Sequence, residues 1–309
     1  MIPYFDAHCD TITTCLDSGQ ALFENSYHID LLRAQKFTPY AQIFAIWIDD
    51  DTRGAAAQER FWQAYAFFIA QLKENAGRLS LCTGAKTYEN AIESGVPAAF
   101  LAVEGGQGLG GDICQVEKLY TAGVRLMTLT WNGENELGYG CMCPEAKGLK
   151  PFGRQVLTEM NRLHMLIDVS HLNEAGFWDV METGEAIVAS HSNAKAICDH
   201  KRNLTDAQFS ALMKAGGGVG INLYAPFVGE NPTVDTLINH IEHFWGLNGE
   251  DCLFIGADFD GIDTPVKGFS QIGDMENLYE RLLQKNYSEN LLHKLFYENL
   301  QRIMTKAPV

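Results

Sequence analysis

The segment MLIDVSH (165–171) is followed by a helical stretch, then by IVASH (187–191), a second helical stretch and GVGINL (218–223). Each run is short, apolar and without a clean in–out alternation. That is the pattern of a strand covered on both faces, as in a parallel sheet. Helical stretches between such runs make βαβ units, whose parallel crossovers are right-handed.

The same alternation extends outward in both directions. Strands are expected at 4–8, 41–47, 98–103 and 124–130 before this segment, and at 253–257 after it. With 165–169, 187–190 and 218–223 they make eight. Helical patterns lie at 53–77, 151–163, 207–215, 234–245 and 288–304. Pro151 suits a first helical turn, and Thr205 or Asp206 can cap the third pattern. Spread over 309 residues, eight strands leave about 39 residues per unit. The sequence therefore predicts an α/β fold, a single (β/α)8 TIM-type barrel over 1–309, with its site at the C-terminal rim of the strands. A doubly wound open sheet is the alternative. It is weakened because no GxGxxG follows the first strand, and Gly105-Gly106-Gln107-Gly108 lacks that spacing.

Composition excludes other classes. The chain is 46% hydrophobic and 20% charged, an ordinary globular mixture. It carries 23 basic and 39 acidic residues, a formal charge of −16. Phosphate backbones and anionic lipids would repel it, so neither nucleic acid nor a membrane is an expected partner. No run approaches the roughly 18 apolar residues of a membrane span. The eight cysteines are scattered, and Cys141-Met142-Cys143 has the wrong spacing for a CxxC site. All eight are read as mostly buried thiols, not disulfides. The first strand begins almost at Met1 with no secretory segment before it, so a cytoplasmic protein is expected. A homodimer is the expectation from base rates.

The expected strands end in chemistry: His8-Cys9-Asp10, Glu104, Ser170-His171, His191 and Asp258. Ionisable groups brought to one rim by five strands suit an active site better than packing. His8 and Asp10, two apart on an extended strand, would share a face and chelate one divalent ion. His171 and His191 end adjacent strands, about 4.8 Å apart, and could hold a second. Glu104, on a tight turn before two glycines, could bridge metals about 3.5–4 Å apart. Such an N/O donor set favours zinc, then manganese or cobalt. Arg202 could grip a substrate carboxylate with its planar fork. Asp258, beside the metals, could act as general base and then acid, with Asp260 nearby. His240-Ile241-Glu242-His243 is not HExxH and is expected to be solvated or capping. Asp49-Asp50-Asp51 is expected to complement a helix N-terminus. His28, His164, His200 and His293 have no ligand-spaced partner.

Taken together, DAHCDT (6–11), AVEGG (102–106), LTWNGEN (129–135), LIDVSH (166–171), SHSNA (190–194), KRN (201–203) and GADFDG (256–261) resemble the renal-type membrane dipeptidase family of binuclear zinc peptidases. The resemblance spans about 250 residues and implies a (β/α)8 barrel that hydrolyses dipeptides, often with a D-residue in the C-terminal position. It implies one zinc on His8, Asp10 and Glu104 and a second on Glu104, His171 and His191. A hydroxide bridging the metals would attack the peptide carbonyl, with Asp258 as the acid/base and Arg202 on the C-terminal carboxylate. Trp131 and Tyr224 would line the substrate pocket. Where studied relatives carry a His after the Leu-Thr pair, this chain has Trp131, with Asn132 and Asn135 as nearby donors. The membrane anchor and secretory signal look absent, as in soluble bacterial-type relatives. Two alternatives stand beside this reading. A lactonase-like amidohydrolase is disfavoured because those enzymes more often open with HxH and carry a bridging Lys. A weakened barrel that only binds an amino-acid ligand has Trp131 alone in its favour.

Overall fold

The computed structural model describes residues 1–144 and 147–306. Among the described residues, nine strands form one sheet: β1 (Ile2–Cys9), β2 (Phe37–Trp47), β3 (Ser80–Leu81), β4 (Ala98–Glu104), β5 (Val124–Thr128), β6 (Leu166–Asp168), β7 (Ile187–Ala189), β8 (Gly218–Ile221) and β9 (Leu253–Ile255). The order is β2-β1-β9-β8-β7-β6-β5-β4, and β4 pairs again with β2, which closes an eight-stranded barrel. Every ladder is parallel. The open-sheet alternative is thereby excluded.

The one strand without a sequence signal is β3. Its two residues pair with Ala98 and Ala99 of β4, which pair with Ala41 and Gln42 of β2 on the other edge. It therefore extends the β5 side of β4 below the point where β5 begins. Two residues are too few to carry a period.

The strands are buried on both faces, as their apolar runs require. Phe5, Phe100, Leu126 and Phe254 belong to the packing inside the ring and at its N-terminal end. Phe44, Val103, Met127, Ile167 and Ile255 pack with the surrounding helices. From β5 to β9 the strands end earlier than the apolar runs do. β5 stops at Thr128 and β7 at Ala189, so the polar residues beyond them lie on turns that leave the ladder.

Several local expectations hold and others change. Pro151 opens the helix Pro151–Arg162, and Thr205 caps Asp206–Lys214 through the Gln208 N–H. Asp50 does not cap the helix Gly54–Glu74. Its Oδ2 accepts from the Gly133 N–H at 2.6 Å and pins the turn after β5. His240 is fully buried, not solvated: Nδ1 accepts from Ala194 N–H and Nε2–H donates to Val228 O. Five of the eight cysteines are buried, as expected of mostly buried thiols, while Cys114 is exposed and Cys143 and Cys198 are half-buried.

Candidate metal centre

Because all strands run the same way, one rim collects all their C-terminal ends. Glu104 is the last residue of β4 and His8 the penultimate one of β1. His171 and His191 lie beyond β6 and β7, and Asp258 beyond β9. Asp10 is not on the strand. It stands at the N-cap of the helix Thr11–Ser18 with φ −101° and ψ 16°. The same-face argument therefore fails, yet the turn still places Asp10 Oδ2 3.4 Å from His8 Nε2.

Glu104 sits between two sets of donors. Its Oε2 is 3.4 Å from His8 Nε2, while Oε1 is 2.9 Å from His171 Nε2 and 3.5 Å from His191 Nε2. The groups His8/Asp10/Glu104 and Glu104/His171/His191 each bring their ligand atoms within 4.8 Å of one another. All five side chains are buried.

The surrounding hydrogen bonds set the tautomers. His171 Nδ1–H donates to Asn132 Oδ1 at 3.0 Å. Ser190 Oγ–H donates to Asp168 Oδ2, so Ser190 Oγ accepts from His191 Nδ1–H at 2.7 Å. Both Nε2 atoms must then carry lone pairs, and they face each other at 2.9 Å with a carboxylate oxygen alongside. Such an arrangement repels itself unless a cation lies among the atoms. Tetrahedral ligands about 2.05 Å from zinc are about 3.3 Å apart, close to the separations found here. His8 Nε2, Asp10 Oδ1 and Glu104 Oε1 also lack hydrogen-bond partners. The residues fit divalent metal.

The electrostatics agree. Burial, with Arg202 nearby, lowers the His171 pKa to about 4. Burial, with His8 and Arg202, holds His191 well below its usual range. Both imidazoles are thus neutral, the form that binds metal. Glu104 is held ionised: burial opposes this, but His8, His171 and His191 outweigh it. Burial, reinforced by Asp10 and Glu104, lifts Asp258 to about 7. Asn222 Nδ2 donates to its Oδ2 at 2.9 Å. Asp260 is otherwise engaged: Oδ2 accepts from Thr11 Oγ at 2.5 Å and Oδ1 from the His28 N–H at 2.6 Å. It holds the loop through His28, and though it lines the cavity, both of its carboxylate oxygens are engaged.

A cavity of about 360 Å³ opens onto the centre, lined by Asp10, Glu104, Trp131, His171, Tyr224 and Asp258 among others. Arg202 does not line it. It borders a smaller neighbouring cavity of about 40 Å³ that shares His171. Its Nη1 donates to Ser192 Oγ at 2.8 Å, while Nε and Nη2 are buried without partners. Asn135 is not a free donor. Its Nδ2 is taken by Gln107 Oε1 and Leu129 O.

Several supporting residues had not been singled out. Asp168 accepts from Thr128 Oγ, Ser170 N–H and Ser190 N–H besides Ser190 Oγ. Asp6 accepts from Tyr4 OH, His8 N–H and Ala257 N–H, fixing β1 to β9. The Asp in LIDVSH was visible in the sequence, but nothing there tells an orienting carboxylate from a structural one.

Comparison with known proteins then decides the family. The family described as membrane dipeptidase, peptidase family M19, matches residues 1–308. The chain belongs to this family. Among curated relatives, an uncharacterized protein of Klebsiella pneumoniae is 34% identical over 79% of this chain and 94% of its own. An uncharacterized dipeptidase of Schizosaccharomyces pombe is 31% identical over 67% of this chain, but over only 52% of its own length. The crystal structure of a metallopeptidase from Rhodobacter sphaeroides, liganded with a phosphinate mimic of the dipeptide L-Ala-D-Ala, superposes with a TM-score of 0.92. It is 25% identical, over 99% of both chains. Among the described residues, no helix is long and apolar enough to cross a membrane.

Proposed function

We propose that the protein is a single-domain dipeptidase working with two divalent metal ions, zinc first among them and manganese or cobalt next. The observation that carries this reading is the placing of Glu104 between two histidine-containing donor sets, one carboxylate oxygen toward each. His8, Asp10 and Glu104 would hold one ion, and Glu104, His171 and His191 the other. Such a pair, when bound, would supply a water of lowered pKa and would polarise the peptide carbonyl.

The chain's own residues do the rest. Asp258, held by Asn222, takes the proton of the attacking water and returns it to the leaving amine. A pKa lifted toward neutrality suits a group that must do both. Arg202 offers Nε and Nη2 to the free carboxylate of the C-terminal residue and so limits the substrate to two residues. Trp131 and Tyr224 form walls of the cavity. A D-residue is accepted at the C-terminal position, a reading supported by the L-Ala-D-Ala mimic bound to the Rhodobacter relative.

Elemental analysis of protein purified without chelator should find about two divalent ions per chain, and Glu104→Ala should lose both. The metal-loaded enzyme should turn over members of a panel of L,L- and L,D-dipeptides. Full metal occupancy in Glu104→Ala would overturn the bridge. Failure of the loaded wild type to hydrolyse any dipeptide would overturn the activity.

A further inference from the structure

Trp47 ends β2 and stands opposite Glu104 in the parallel β2–β4 ladder. Its side chain lines the cavity over the metal centre. Its indole packs edge-on against Trp131, with ring centroids 5.1 Å apart. Its Nε1–H is buried and has no partner. Among the described residues lining the cavity, it is the only buried side-chain donor in that state. The other orphan indole N–H, that of Trp245, lies on the outer helix Val234–Gly246.

A buried unpaired N–H costs about 1–3 kcal/mol, and native proteins keep few of them. In a wall facing substrate, the missing acceptor is naturally a substrate atom. Two other donors near the centre are committed, Asn135 Nδ2 to Gln107 and Leu129, and His171 Nδ1 to Asn132 Oδ1. We infer that Trp47 is a catalytic residue, its indole N–H donating to the scissile carbonyl oxygen as that oxygen becomes negative. The inference rests on dipeptide hydrolysis as proposed above. Trp131, in this arrangement, buttresses the Trp47 ring and shapes the pocket. A neutral donor cannot carry charge, but a single fixed N–H suffices for an oxyanion contact.

The test uses zinc-loaded full-length protein and a dipeptide phosphinate, whose tetrahedral anion imitates the reacting carbonyl. Trp47→Phe keeps an aromatic wall and removes the N–H. It should lower kcat on the order of 10²-fold with KM little changed. It should weaken phosphinate inhibition by a similar factor. In wild-type protein, the indole ¹H–¹⁵N resonance of Trp47, assigned by its loss in Trp47→Phe, should move downfield when the phosphinate binds. Phosphinate binding with that resonance unmoved, or Trp47→Phe with wild-type kcat and inhibition, would overturn the inference. Absence of phosphinate binding and turnover altogether would instead overturn the dipeptidase reading. The resonance is read on the wild type, so a poorly folding variant does not remove the test.

Discussion

Arg202 carries a buried guanidinium with one nitrogen engaged by Ser192 and two left without partners. Unmatched charge-assisted donors at such depth are costly unless a ligand completes them. Burial lowers the Arg202 pKa, offset in part by the surrounding acidic groups, Asp258, Asp168 and Glu104 among them. A substrate carboxylate would relieve this directly. Dipeptides amidated at the C-terminus should therefore be poor substrates. Arg202→Ala should lose roughly 2–5 kcal/mol of binding for the free acid and abolish the preference. Equal kcat/KM for free and amidated dipeptides in the wild type would exclude this role. At the same scale, His171 and Asp258 adopt φ of +66° and +64°, a conformation non-glycine residues seldom use. Side chains turned into the barrel mouth by such turns are not where an extended strand would aim them.

At the level of elements, the site depends on how closely β7, β8 and β9 approach just below the rim. A Cβ added to Gly220 or to Gly256 would lie 1.8 Å from the Ser190 carbonyl oxygen. Backbone cannot yield there cheaply, because Ser190 also orients His191 and is held by Asp168. Glycine is required by close approach and not by an unusual φ. Gly220→Ala should destabilise the fold by about 1–3 kcal/mol through overpacking. It should also weaken metal binding, since the strain falls on the turn carrying His191. Thermal unfolding with and without chelator reads both effects. Unchanged melting together with unchanged metal content would show that the strands can part. The Asp50–Gly133 bond works at this scale too, joining the end of β2 to the turn that bears Trp131 and Asn132.

Across the whole molecule, His240 ties three pieces of chain around the barrel. It sits on the helix Val234–Gly246, accepts from Ala194 beyond β7 and donates to Val228 beyond β8. The bond from Ala194 requires an unprotonated Nδ1 and so the neutral ring, whereas the bond to Val228 survives protonation. Burial lowers the His240 pKa below 6.5, against the Val228 hydrogen bond. In the unfolded chain the ring takes its proton near pH 6.5. Between the folded value and 6.5 the unfolded state binds more protons, so stability rises with pH there. The contribution is complete above about pH 6.5 and is lost as pH falls below it. One such group changes stability by at most about 1.4 kcal/mol per pH unit. His240→Gln should be less stable at pH 8 and should lose less stability than wild type on going to pH 5. Parallel stability curves for the two proteins would remove His240 from the acid response.

Sequence alone determined the class of fold and the identities of the metal-binding candidates. Eight apolar runs are local facts, and their number and spacing favoured a parallel barrel over an open sheet, a choice that the β2–β4 pairing settled. The rim residues were legible because parallel strands deliver their C-terminal ends to one face. The family resemblance rested on the order of seven short motifs, which folding does not alter. What tertiary structure decided concerns approach between distant segments. Asp10 reaches His8 through a turn, not along a strand, and φ and ψ at that turn are set by packing of the following helix. Asn132 orients His171, and Asp168 fixes the Ser190 hydroxyl that orients its neighbour His191; the Asn132–His171 and Asp168–Ser190 contacts span separate elements. The engagement of Asn135 and Asp260, and the unpaired N–H of Trp47, depend on which partners the closed barrel brings within hydrogen-bond reach. Periodicity reports which face a residue occupies, whereas a hydrogen bond needs distance and angle across segments, and only the closed barrel supplies those.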